Sequence, residues 1–401
     1  MPPTPPVAGN TEGTAPANRT YYPALDGLRA IAFLLVLLQH YARLPWGWSG
    51  VNIFFVLSGF LITGILWDTR DDPHRARNFY IRRSLRIFPL FYAVFLLLLL
   101  STPLLHWRWS LSWLAWPLYV GNFLRFLGHG GLTAAQQSVA DAQLHSRTNP
   151  FVLYLGHFWS LCVEEQFYLL WPWVVFAIRS RRKLILLCLA VVLLTPLLRV
   201  FTQHHAPAWM LSGELLYRLL PFQLDSLLLG GMLALLWRGS HRGLLRHGAA
   251  IVAALCTALV LLHFAWAAHT FGAKLRDTYI YPQWRLTWGL SFINLFSAAL
   301  IVCALHPGSF VCRLLHRRPL RALGRISYGA YVLHDIPHSV LLGIVLSAAH
   351  NSTLVAAHAG AFLVALALGF IVVAAAFSYK FLESPFLNLK SRLTRTASRA
   401  G

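Results

Sequence analysis

Charge is scarce in this chain. Only 12% of its 401 residues are Asp, Glu, Lys or Arg, and only 13 are acidic, whereas roughly a quarter of a soluble domain is charged. With 57% hydrophobic residues and a mean hydropathy of +0.57, this excludes a soluble protein and indicates one that crosses a membrane repeatedly. Cysteine offers no metal or redox signal. Cys162, Cys188, Cys256, Cys303 and Cys312 show no CxxC spacing, and all but Cys312 fall in apolar stretches, as small core residues do. The start of the chain lacks a basic segment followed by a short apolar run and a small-residue cleavage site, so the first span is expected to be an uncleaved anchor. There is no visible internal repeat and no soluble module is expected after Pro385, so one domain is predicted.

What is abundant is apolar sequence punctuated by arginine. Stretches near 25–44, 50–67, 86–105, 157–178, 184–201, 217–237, 249–268, 288–305, 326–348 and 354–378 approach the roughly 20 residues a crossing needs. The fold class predicted is all-α, a polytopic transmembrane bundle of about ten spans. An eleventh segment, Leu111 to Leu127, is Trp-rich and interrupted by Pro117, Gly121 and Asn122, which suits an interfacial or re-entrant piece as well as a span; counting it as a crossing would put the basic cluster at 179–183 on the outer side. The formal charge of +21 lies in short clusters between spans. These set topology rather than bind nucleic acid. With ten spans, clusters such as Arg82, Arg83 and Arg86, then Arg181, Arg182 and Lys183, then Arg317, Arg318 and Arg321 all fall on one side. Both termini are therefore expected to be cytoplasmic. Residues 1–20 are read as a disordered tail, 21–388 as the membrane domain with an external excursion at 106–156, and 389–401 as a basic tail.

The ionisable groups inside the spans carry the chemistry, because each costs about 3 kcal/mol at mid-membrane unless paired or facing a cavity. Arg29 and His40 lie eleven residues apart, on roughly one helix face and about 16 Å apart along it. Arg29 is read either as a functional cation or as an anchor paired with Asp26. His40, kept neutral by burial, is a general-base candidate, with a packed structural histidine as the alternative. Arg83 and Arg86, three residues apart, present two guanidinium forks on one face and suit a phosphorylated cytoplasmic ligand. Glu164 and Glu165 are expected to support His40 or to neutralise the arginines. Asn52, Ser58, His157, Trp159 and Ser160 are candidates for the acceptor side, with packing as the competing role for Ser58. Asp225 is a functional or structural-pair candidate. Tyr328, Tyr331, His334 and Asp335 are expected in an interior network, and Glu383 is expected to pair with Lys380. No metal site is predicted.

The segments LDGLRAIAFLLVLLQH, GVNIFFVLSGFLITG, FYIRRSLRIFPLFY, HFWSLCVEEQFYLLWP, ISYGAYVLH and YKFLESPF resemble, in order and over nearly the whole chain, the membrane-bound acyltransferase 3 family in its form without a fused SGNH domain. The resemblance implies a helical bundle, an acyl-CoA donor (acetyl-CoA in the narrowest reading) and a hydroxylated acceptor such as a glycan or secondary metabolite. The family's Arg-x10-His pair falls on Arg29 and His40, and its Arg-x2-Arg on Arg83 and Arg86. Gln223 departs from the pattern where many members carry Arg two residues before the Asp that matches Asp225.

Residues and resemblance together predict a membrane O-acyltransferase in a bacterial cell membrane. Acyl-CoA would dock on Arg29, Arg83 and Arg86, and His40 would act as general base or acyl carrier. The competing class is a proton-coupled transporter using His40, Asp225 and the two glutamates; paired broken helices in two related halves, expected of such a transporter, are not visible in the sequence.

Overall fold

In the computed structural model the described residues are 21–44, 46–107, 109, 111–124, 143–145, 152–206, 215–240, 242–271 and 285–394. The tail at 1–20, most of the polar part of the excursion and residues 395–401 lie outside them.

Each of the ten apolar stretches is helical. The long elements are α1 (Pro23–Ala42), α2 (Ser49–Asp68), α3 (Arg75–Leu105), α4 (Trp159–Ala177), α5 (Arg181–His205), α6 (Leu224–Trp237), α7 (Arg242–Phe271) and α8 (Leu290–Leu305). They are followed by the broken pair α9 (Ser327–Leu333) and α10 (His338–Asn351), then α11 (Ala359–Ser378). Among the described residues seven helices are long and apolar enough to cross a membrane, or eight if the broken pair counts as one span. The 14-residue α6 is too short to meet that measure. The Trp-rich segment forms 3-10 turns at Leu111–Ala115 and Gly121–Phe123. It packs Trp113 and Trp116 inward. A short antiparallel ribbon pairs Gln143–His145 with Val152–Tyr154.

Burial sorts the helices into centre and periphery. The apolar window of α2 is 78% buried and that of α7 only 6%. The outward leucines of α3, α5 and α7 suit lipid. Polar clamps fix α2 at the centre: Asn52 donates to Asn294 of α8 at 2.9 Å, and Trp171 of α4 donates to Thr63 at 2.8 Å.

The most extensive helix–helix contact is that of α2 with α6, and two glycines let it close. A Cβ at Gly59 would collide with the carbonyl oxygen of Leu227, and one at Gly230 with that of Val56. Backbone meets backbone in both directions, as small-residue packing in membranes requires. Gly59→Val is expected to force the two helices apart and to lower the melting temperature of the detergent-purified protein by many degrees. Gly243→Val, where a side chain would meet open space, is expected to leave it within experimental scatter.

Candidate active site

Five helices build one half-open cavity, enclosing about 820 Å³ including its mouth. Arg29 enters from α1, Ser58 from α2, and Arg83 and Arg86 from α3. Ser160, Glu164, Glu165 and Tyr168 come from α4, and Ser327, Tyr328 and Tyr331 from α9 and its start. The helical period explains this supply. Residues 83 and 86 are three apart, and 160, 164 and 168 are spaced by four, so each set faces one way.

The cations differ in their partners. Arg29 Nη1 donates to Asp26 Oδ1 at 2.9 Å, and the Tyr21 hydroxyl donates to the other carboxylate oxygen. Arg29 thus lines the cavity while its charge is partly spent on its own helix. Arg83 sits over the Tyr168 ring, 5.2 Å from the centroid. Among the described residues neither Arg83 nor Arg86 has a carboxylate within ion-pair distance. Glu164 and Glu165 act on Arg83 at longer range, and Glu165 Oε1 is buried without a hydrogen-bond partner. The Ser58 and Tyr168 hydroxyls share a short hydrogen bond. Two guanidinium groups and a third, half-neutralised one therefore face a single space, an arrangement that favours an anion.

His40 stands outside this lining, at the far end of α1, where Arg43 in the left-handed region (φ 52°) closes the helix. Its Nδ1 bonds to the carbonyl of Val36 at 2.9 Å. A carbonyl only accepts, so Nδ1 carries the proton and Nε2 is left with a lone pair. Asp335 Oδ2 lies 4.0 Å from that Nε2. The carboxylate beside His40 is therefore Asp335, and of the two places expected for Glu164 and Glu165 they occupy the one beside the arginines. The cause is axial distance: Glu164 and Glu165 follow Ser160 by four and five residues, about 6 to 7.5 Å further along α4.

The two regions share a wall. Ser160 and Tyr331 line the cavity and hydrogen-bond each other at 2.5 Å. The Tyr331 ring also packs on His334, centroids 5.3 Å apart, and on His157 at 5.9 Å. His157 is buried in this second region and not exposed at a mouth. Trp159 is buried against Phe55 and Tyr217.

Other expected residues lie elsewhere. Asn52 is fully buried in its clamp with Asn294, away from the cavity lining. Asp225 is held by Arg199, whose Nη1 and Nη2 reach its two oxygens at 3.0 and 2.7 Å. Sequence reasoning missed Arg199, although a lone arginine inside the apolar run of α5 was the available signal. Glu383 does not pair with Lys380. The chain takes a π turn over Tyr379–Glu383, which changes the angular offset between positions 380 and 383. Glu383 is buried and accepts from Ser378 Oγ at 3.2 Å, while Lys380 lies over the Phe381 ring at 5.2 Å. No group of three or more His, Cys, Asp or Glu suited to a metal ion occurs among the described residues.

Comparison with known proteins agrees with a transferase. A family profile described as an acyltransferase domain matches residues 22–379. YrhL of Bacillus subtilis strain 168, provisionally described as a peptidoglycan O-acetyltransferase, is 32% identical over 345 residues, covering 79% of this chain and 48% of its own. The peptidoglycan O-acetyltransferase OatA of Listeria monocytogenes is 28% identical over 331 residues, covering 79% and 49%. An O-acetyltransferase provisionally assigned in Staphylococcus aureus strain COL is 26% identical over 386 residues, covering 91% and 57%. The chain thus spans about half the length of the curated relatives it matches. No solved structure matches. These relatives do not favour the transporter alternative.

Proposed function

Because the chain belongs to the membrane-bound acyltransferase 3 family, we propose that it transfers an acetyl group from cytoplasmic acetyl-CoA to a hydroxyl of a cell-surface glycan. Peptidoglycan is the acceptor named for two of the relatives and the first to test. The proposal includes ten crossings of a bacterial cell membrane, with both termini cytoplasmic, so that the basic clusters share one side.

The observation that carries the reading is the cavity in which Arg83 and Arg86 face the same space without carboxylate partners, with Arg29 beside them. The phosphates of CoA dock there. From Arg29 to His40 is about 16 Å along α1, a distance for the pantetheine arm to bridge past the wall formed by Ser160 and Tyr331. At its end His40 Nε2 takes the proton of the acceptor hydroxyl as that oxygen attacks the thioester carbonyl. The ester C–O bond forms, the C–S bond breaks, and the proton passes to the departing thiolate, giving the O-acetyl ester and CoA thiol. Glu164 and Glu165 moderate the positive charge of the donor cavity, and Ser58 lines it.

The test uses the purified protein in lipid nanodiscs with acetyl-CoA and soluble peptidoglycan fragments. Thiol release matched by fragments gaining the mass of one acetyl group is the expected result. Passage of acetyl-CoA or glycan across the bilayer with no thiol release would overturn it. In Arg83→Ala/Arg86→Ala, the loss of two charge-assisted contacts is expected to weaken CoA binding by about 3 kcal/mol, roughly 100-fold. Unchanged affinity removes the phosphate role.

A further inference from the structure

The break between α9 and α10 sits where the second polar region is. The two helices meet at 73°, and residues 334–337 between them are His334, Asp335, Ile336 and Pro337. Broken helices at membrane depth persist where side chains satisfy the freed carbonyls and the break faces a polar space. Here the Tyr41 hydroxyl donates to the carbonyl of His334 at 2.6 Å, and His157 Nε2 bonds to that of Val332 at 3.1 Å. His334 Nδ1 bonds to the carbonyl of Tyr331 at 2.7 Å.

These bonds fix the tautomers. Each of His40, His157 and His334 commits one N–H to a backbone carbonyl, which only accepts. In the neutral rings the other nitrogens, His40 Nε2, His157 Nδ1 and His334 Nε2, are then acceptors. The rings adjoin, with centroids of His40 and His334 4.8 Å apart and those of His157 and His334 4.7 Å apart. Asp335 Oδ2 lies 3.7 Å from His157 Nδ1 and 4.0 Å from His40 Nε2, too long for direct hydrogen bonds. His157 Nδ1 and His334 Nε2 are buried with no hydrogen-bond partner. His40 Nε2 and His157 Nδ1 thus flank one carboxylate oxygen with the His334 ring beside them, and among the described residues no donor reaches His157 Nδ1 or His334 Nε2. Buried acceptors left unmatched are costly, so the ligand that fits is one that donates.

We propose that this cluster is the acceptor subsite, taking a polyhydroxylated group by O–H donation: the reacting hydroxyl to His40 Nε2 and a neighbouring hydroxyl to His157 Nδ1. Asp335 is a positioning residue whose carboxylate stabilises the His40 imidazolium formed when the proton arrives. The inference rests on His40 as the base. It adds the residues that select a hydroxyl-rich acceptor.

The experiment measures CoA thiol release from acetyl-CoA in nanodiscs, once with water as the only acceptor and once with peptidoglycan fragments. In Asp335→Asn and in His157→Phe the maximal rate is expected to fall at least about tenfold while the KM for acetyl-CoA stays within about twofold. His157→Gln, whose amide can serve Val332 and whose carbonyl oxygen can accept from the ligand, and Asp335→Glu are expected to recover most of the rate. Wild-type rates in Asp335→Asn and His157→Phe would overturn the subsite. So would a joint loss of rate and acetyl-CoA binding that neither conservative variant rescues, because that pattern marks a structural role. If His40→Ala keeps the wild-type rate, the base assignment falls and the subsite with it; if only the Asp335 and His157 variants keep it, the subsite alone falls. Absence of thiol release from wild type under both conditions overturns the donor assignment and this subsite together.

Discussion

His40→Ala is expected to lower the rate of acetyl transfer roughly 10³-fold, within the range general-base catalysis supplies, while acetyl-CoA affinity changes less than about twofold. The separation of the two effects follows from placement. His40 lies outside the lining of the arginine cavity and about 16 Å along α1 from Arg29, so its loss leaves the anion-binding groups untouched. The fold should survive, since the His40 side chain is 32% exposed and its recorded hydrogen bond goes back to its own helix at Val36. His40→Gln should be as inactive as alanine, because an amide cannot take up and return the proton. Thiol release and product mass read the outcome. A folded His40→Ala protein with wild-type turnover would remove His40 from the chemistry.

The second large effect concerns stability. Arg199 is fully buried and Asp225 nearly so. The pair is bidentate, with Ser291 Oγ donating to Asp225 Oδ2 at 2.9 Å and the carbonyl of Phe222 accepting from Arg199 Nη1 at 2.6 Å. Removing one partner leaves an uncompensated charge in an apolar interior, which costs about 3 to 5 kcal/mol. Arg199→Leu is therefore expected to yield little folded protein and a sharply lowered melting temperature. Arg199→Met/Asp225→Leu, which removes both charges, is expected to recover most of that loss. The comparison is made by following unfolding of each detergent-purified variant on a size-exclusion column after heating. Equal melting of Arg199→Leu and wild type would show that the pair is no strut. Asp225 was a candidate for substrate contact as well as for a structural pair; its oxygens are occupied by Arg199 and Ser291, and it lies outside the cavity lining.

How far each element was legible in the sequence depends on how local its cause is. The helices were readable because apolar runs of about 20 residues have one stable conformation in lipid. The Trp-rich segment was readable as a non-span only through the charge pattern, because a crossing there would move the cluster at 179–183 to the other side; the structure has 3-10 turns in it. Arg83 and Arg86 were readable as neighbours because residues three apart on a helix share a face, and the cavity contains both. Glu383 was misread because the i,i+3 rule assumes regular α-helix and a π turn intervenes. That Asp335 is the carboxylate beside His40 was not legible because that contact joins α1 to a break 295 residues later in the chain, and no periodicity carries information across such a distance.

By itself the sequence determined a helical membrane protein, its family and the residue types able to bind an anion and move a proton, since these follow from hydropathy, helical period and local motif. The tertiary structure alone decided which groups meet. It placed Glu164 and Glu165 with the arginines, gave Asp225 to Arg199, and brought His40, His157 and His334 around Asp335. The reason is physical: a helix fixes the angle and height of its own side chains, but the packing of one helix on another, here through contacts such as Gly59 against Leu227, fixes which of those side chains share a cavity.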